Sequence, residues 1–145
     1  MNQCRYVFIV ENDVNIAAEI AEHVRASGHI PLIFPDGRIA IAAVRDDPPA
    51  AIILDIELLG MRGVTICDAV REVSSVPILI LTGCIEEADI LRGFDCAVDG
   101  YVCKPFGARQ LIARLNEVIV RGERQRINDQ ANRRWAIDVE FNRAA

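Results

Sequence analysis

Short runs rich in Val, Ile and Leu recur along the chain, at Tyr6 to Val10, Ile30 to Phe34, Ala51 to Leu54, Pro77 to Leu81 and Gly100 to Val102. Apolar residues that run on without alternating mark strands covered on both faces. The stretches between them carry apolar residues at helical spacing: Ile16, Ile20 and Val24 in the first, Ile39 and Ala43 in the second, Ile66 and Val70 in the third. Gly28 stands where the first helix should end, as its cap. A fourth helical segment near Ile85 to Phe94 is weakly patterned, and Gly93 lowers its propensity. In the fifth, Leu111, Leu115, Val118 and Ile119 form an apolar stripe while Arg109, Arg114, Glu117 and Arg121 face elsewhere. Five strands alternating with five helices predict an α/β fold, a doubly wound five-stranded parallel sheet. Ligands of such sheets bind outside the carboxyl ends of the strands.

Beyond Arg121 the chain changes character. A polar, arginine-rich stretch leads to Trp135, Ile137, Val139 and Phe141, which alternate with other residues. The pattern predicts one domain over residues 1–122 and a polar linker with a C-terminal tail over 123–145. The alternation is that of a half-buried strand, and a lone strand is not stable in water. The stripe is therefore expected to dock on the domain's own surface, to pair with a second subunit, or to belong to a following domain.

Charge narrows the partners. With 16 Lys and Arg against 21 Asp and Glu, the formal net charge is -5, so no overall positive field exists to hold nucleic acid or an anionic membrane. The apolar runs fall far short of the roughly 20 residues that span a bilayer. The first of them is followed at once by acids, unlike a signal peptide. These features predict a cytoplasmic protein without membrane attachment or direct nucleic-acid contact. The 5 cysteines (Cys4, Cys67, Cys84, Cys96, Cys103) are odd in number and widely spaced, and read as reduced thiols; Cys103 adjoins Lys104. His23 and His29 are assigned no chemistry.

The candidate chemistry lies at the strand ends. Glu11, Asn12 and Asp13 follow the first strand, Asp55 the third, Thr82 the fourth, and Lys104 with Pro105 the fifth. Taken singly, an Asp or Thr after a strand is as often a cap or turn residue. Together, an acid cluster, an Asp, a Thr and a Lys-Pro on one edge of a parallel sheet form a specific pattern.

Over roughly residues 4–122 the chain resembles the receiver family of two-component response regulators, in the motifs FIVEND, AIILDIELLGMRG, ILILTG and DGYVCKPF. The resemblance implies a flavodoxin-like (βα)5 fold with strand order 2-1-3-4-5. It implies that Asp55 accepts a phosphoryl group from a sensor histidine kinase or phosphotransfer protein, assisted by Lys104 and Thr82. It implies Mg²⁺ held by Glu11, Asn12, Asp55 and the backbone carbonyl of Glu57, and a switch made by Thr82 and Tyr101. Partners would read the surface of the fourth helix, fifth strand and fifth helix, through which a homodimer could also form. Such a protein is a phospho-acceptor, with slow self-catalysed transfer and hydrolysis at most, and not an enzyme. The residue types make chemical sense: phosphoryl transfer depends mostly on positioning and charge neutralisation, which a divalent cation, a lysine and a hydroxyl donor provide.

The chain departs from the family in three places. Asn12 stands where a second acid is usual, so Mg²⁺ is expected to bind more weakly; Asp13 next door reads as the start or cap of the first helix. Leu59, Arg62 and Gly63 replace the usual residues of the loop after Asp55. The fifth helix looks like that of receivers joined to winged-helix DNA-binding domains, with Arg114 and Arg121 at charged interface positions. Gly100, however, occupies a site where that subfamily usually has Asp. A stand-alone receiver and the front piece of a longer regulator would both fit. The alternative reading is a receiver-like interaction module that is poorly phosphorylated because Asn12 replaces a metal-binding acid. A phosphatase of the haloacid dehalogenase type would carry its nucleophile before its acids. A flavodoxin would need a first loop that attracts phosphate, which Glu11 and Asp13 would repel.

Overall fold

A computed structural model describes residues 5–55, 61–83 and 98–144. Its strands are β1 (Tyr6–Val10), β2 (Ile30–Phe34), β3 (Ala51–Asp55), β4 (Ile78–Thr82) and β5 (Gly100–Cys103), with helices α1 (Val14–Ala26), α2 (Gly37–Asp46), α3 (Met61–Val73) and α4 (Ala108–Ala144). The expected fourth helical segment, near Ile85 to Phe94, lies outside the described residues. The strands form one parallel sheet in the order β2-β1-β3-β4-β5, as the resemblance implied. Strand order therefore reverses between β1 and β3, and the carboxyl edge there is where such sheets bind ligands.

Alternation along each strand divides the core in two. Val7, Ile9, Ala51, Ile53, Leu79, Leu81 and Val102 meet α1 and α4 on one face. Phe8, Val10, Ile52, Leu54, Ile78 and Ile80 meet α2 and α3 on the other. β3 and β4 are buried along their whole length, which is why they read as continuous apolar runs; β2, at the edge, leaves Ile30, Leu32 and Ile33 exposed. Gly28 follows the last turn of α1 at φ +89, a conformation glycine adopts without penalty, and Ser27 caps the helix.

Two readings of the helices need correction. In α2 the buried face is Gly37, Ala40 and Val44, and Ile39 is exposed. Close approach of α3 decides this, since a Cβ at Gly37 would run into the Ile66 side chain. The second correction concerns the tail. Residues 123–144, read as linker and strand-like stripe, continue α4, which runs unbroken for 37 residues. At 1.5 Å per residue it is roughly 55 Å long. A strand there would need a neighbour to satisfy its backbone, whereas a helix already nucleated by its packed first half extends one residue at a time. Arg, Glu, Gln and Ala favour that extension, and Gln125 donates to Asp129 one turn on, at 3.1 Å. The segment is open to solvent, as its polar composition leads one to expect: from Arg124 to Trp135 all but Asp129 are exposed.

Candidate functional site

Glu11 lies just past β1, its N–H donating to the carbonyl of Phe34 at 3.2 Å, and its side chain is buried with 1% of its surface exposed. Oε1 accepts from the backbone N–H of Asp13 at 3.0 Å. Asp13 is the N-cap of α1, with Oδ1 accepting from the N–H groups of Asn15 at 2.9 Å and Ile16 at 3.1 Å. Committed to the helix end, its carboxylate is not available to replace the acid missing at Asn12, which is exposed.

Asp55 ends β3 and is buried, carried by strand alternation onto the face of Ile53 and α1/α4. Lys104 follows β5 and places Nζ 2.5 Å from Asp55 Oδ2. Its own position is set by the sheet, because its backbone N–H donates to the carbonyl of Thr82 at 2.8 Å. The next peptide, Lys104-Pro105, is cis. Thr82 ends β4 fully buried and, by the same alternation, shares the α2/α3 face of the sheet with Tyr101, which is half-buried against that core. The structure thus brings Glu11, Asp55, Thr82 and Lys104 to the carboxyl edge, with Asn12 exposed beside them. Glu57 lies outside the described residues.

Burial, more than any other influence, pushes the Glu11 carboxyl up to about 7; a hydrogen bond with the Asp55 carboxyl and its negative charge add to the rise, while the Asp13 N–H and Lys104 oppose it. Glu11 Oε2 is buried and has no hydrogen-bond donor. A proton shared with Asp55 would satisfy it, and so would a cation. An orphaned carboxylate oxygen beside a second carboxylate suits a hard cation that takes oxygen ligands, such as Mg²⁺. Among the described residues no three His, Cys, Asp or Glu side chains converge as a metal cluster. The described carboxylates that lie together at this edge are those of Glu11 and Asp55.

Sequence spacing gave no hint of one cluster. Arg71, in the last turn of α3, donates to the carbonyl of Val76 at 2.6 Å and to Asp99 Oδ2 at 3.0 Å. The same Asp99 oxygen accepts from the N–H of Ile78 at 2.8 Å. Arg71 and Asp99 are 28 residues apart, and only folding brings them together to tie the start of β4 to the start of β5. Gly100 has a packing role, since a Cβ there would lie 3.2 Å from both Leu79 Cδ1 and Val118 Cγ1, against α4. Arg114 and Arg121 both pair with Glu117, at 3.4 and 2.6 Å. His29 hydrogen-bonds Ser27 at 2.9 Å and His23 meets the edge of Phe106. Cys67 is buried and Cys103 half-buried.

A family model described as the response regulator receiver domain matches residues 7–116. The transcriptional regulatory protein BaeR of Escherichia coli O6:H1 is 34% identical over 120 residues, covering 83% of this chain and 50% of that protein. The DNA-binding response regulator MtrA of Mycobacterium tuberculosis is 32% identical over 137 residues, 94% of this chain and 58% of MtrA. Among solved structures, the Vibrio cholerae chemotaxis protein CheY4 superposes with a TM-score of 0.70 at 25% identity, covering 79% of this chain and 98% of that one. The chain spans about half the length of the curated relatives it matches. No helix among the described residues is long and apolar enough to cross a membrane.

Proposed function

This chain belongs to the response regulator receiver domain family, and on that premise we propose that it is a phosphorylation-controlled switch whose phospho-acceptor is Asp55. The observation that carries this reading is the ion pair between Lys104 and the buried Asp55 carboxylate, beside the second buried carboxylate of Glu11. Asp55 attacks the phosphorus of a phosphohistidine on a sensor histidine kinase or phosphotransfer protein. The new P–O bond forms as the P–N bond breaks, and the imidazole leaves. Lys104 offsets charge on the phosphoryl oxygens, and Thr82 donates its hydroxyl hydrogen to one of them. Mg²⁺ held by Glu11, Asn12, Asp55 and the Glu57 carbonyl supplies further charge neutralisation when bound. Asn12 offers it a neutral oxygen in place of an anion, which weakens its hold.

The switch uses the other face of the sheet. Drawing Thr82 toward the phosphoryl group frees space beside β5, into which Tyr101 turns, and the surface of the fourth helical segment, β5 and α4 changes for partners or a second copy. Self-catalysed transfer and hydrolysis are slow, so the chain is a phospho-acceptor more than an enzyme. It works in the cytoplasm and does not itself contact nucleic acid, in keeping with its net charge of -5. Residues 1–122 are the receiver, and the residues after them, which continue α4 as far as Ala144, are its polar C-terminal tail. A second reading, an interaction module poorly phosphorylated for want of an acid at Asn12, is favoured only by the exposed, uncharged side chain there.

Mass spectrometry after incubation with acetyl phosphate tests the proposal. One phosphoryl group is expected on the wild type and none on Asp55→Asn; undiminished labelling of that variant overturns the assignment. Beryllofluoride titration with and without Mg²⁺ separates the two readings, because only a working acceptor site saturates in a metal-dependent way.

A further inference from the structure

The amino ends of the strands form a pole of the molecule with no part in the chemistry above. There α4 crosses the start of β4 so closely that a Cβ at Gly122 would run into Pro77. Beside the crossing lies a cavity of about 460 Å³, within the usual size range of small-molecule sites. Its apolar lining comes from Pro48, Pro49, Val76 and Pro77, residues that precede β3 and β4. The polar lining is rich in donors: Arg121, Arg124 and Arg126 from α4, with Ser74 and Ser75 from the turn after α3.

The charge of this cavity is one-sided. Asp99 is the sole acid among its described lining residues, and its Oδ2 already accepts from Arg71 and from the N–H of Ile78. Arg121 is engaged by Glu117 and Arg126 by the Gly122 carbonyl at 3.4 Å. Arg124 has no hydrogen bond or ion pair to any described residue. Three guanidinium groups thus line a cavity whose one acid is already neutralised.

We propose that this cleft binds a small organic anion, a phosphate or carboxylate group meeting Arg124 and Arg121 while an apolar body rests against the prolines. Guanidinium groups present paired donors that match either anion, and proline rings and Val76 offer flat apolar surface to a ring or short chain. The site lies a strand length, roughly 15 Å, from Asp55 and does not depend on its phosphorylation. A ligand held there bridges the sheet and the second half of α4, fixing the direction in which the helix leaves the domain.

The test is calorimetry and chemical-shift mapping on the full chain, with phenyl phosphate, benzoate and inorganic phosphate as probes. Phenyl phosphate is expected to bind saturably and several-fold more tightly than inorganic phosphate, with shifts at Ser74, Ser75 and Arg124. Benzoate binding as tightly as phenyl phosphate would assign the site to carboxylates. Arg124→Gln, an exposed change that leaves the core alone, is expected to weaken binding roughly tenfold. The proposal is overturned if no probe saturates at millimolar concentrations, or if binding survives Arg124→Gln and Arg121→Gln together. Shifts at Thr82 and Lys104 in place of Ser74, Ser75 and Arg124 would put the anion at the carboxyl edge of the sheet and overturn it equally.

Discussion

Lys104 Nζ lies 2.5 Å from Asp55 Oδ2, and the carboxylate it meets is wholly buried while the lysine keeps 21% of its side-chain surface in water. Removing one partner of such a pair leaves the other charge in low dielectric. Lys104→Met is therefore expected to destabilise the fold by about 3 kcal/mol at neutral pH. The loss should shrink on acidification, because the Glu11 carboxyl beside Asp55, raised to about 7, then takes up a proton and removes one negative charge from the site. Urea unfolding at pH 7.5 and pH 5 checks both statements; a pH-independent loss would mean that the lysine stem, and not its charge, matters.

The raised Glu11 carboxyl sets a direction for stability against pH. Its value is about 7 in the folded chain against an ordinary 4.5, so between those values the folded state holds a proton that the unfolded state has released. Stability then falls as pH rises from about 4.5 to about 7 and levels off above, by roughly 3 kcal/mol. Without Mg²⁺, thermal melts across this window should show that slope in the wild type and lose it in Glu11→Gln. Parallel profiles for the two proteins would remove Glu11 as the cause.

Asn12→Asp restores a carboxylate beside Glu11 and Asp55, and Asp13 is already occupied at the helix cap. The variant should bind Mg²⁺ roughly tenfold more tightly, since one added charge near a divalent ion at a partly wet site contributes on the order of 1 to 3 kcal/mol after desolvation. Calorimetric titration measures this directly. Equal or weaker affinity would place residue 12 outside the metal's ligands.

The Arg71–Asp99 clamp joins α3 to β4 and β5 with its side chains still 20% and 33% exposed. Arg71→Ala and Asp99→Ala are each expected to cost on the order of 2 kcal/mol, and the double variant much less than their sum, because the groups serve one network. Denaturant midpoints of the four proteins give the coupling. Additive losses would show that the two residues act separately.

Deleting residues 124–145 should remove helical circular dichroism in proportion to its length and move the melting midpoint by only a few degrees, since residues 124 to 135 bury little surface. Trp135, 69% exposed, should be quenched by acrylamide nearly as readily as free tryptophan. A shielded Trp135 or a large drop in melting temperature would mean that this half of α4 is covered in solution, most simply by a second copy.

Much of this architecture is local and therefore legible along the chain. Strands such as β3 and β4, buried on both faces, announce themselves as unbroken Val, Ile and Leu, and the positions just past them carry Asp55, Thr82 and Lys104 to one edge in any parallel sheet. Asp13 could be read as a cap because capping depends on residues two and three positions away. What the chain alone left open depends on partners distant in sequence. Ala40 and Val44 turn inward in place of Ile39 because Gly37 admits Ile66 of another helix. Trp135 to Phe141 are helical because they continue a helix anchored by Leu111, Leu115 and Val118, a cooperative effect that outweighs their spacing. Glu11 is raised to about 7 by burial and by a carboxylate 44 positions away, and Arg71 meets Asp99 only when three elements have packed. Propensity and periodicity act over a few residues, whereas desolvation, charge and close approach act through space, and only the folded chain decides which groups share it.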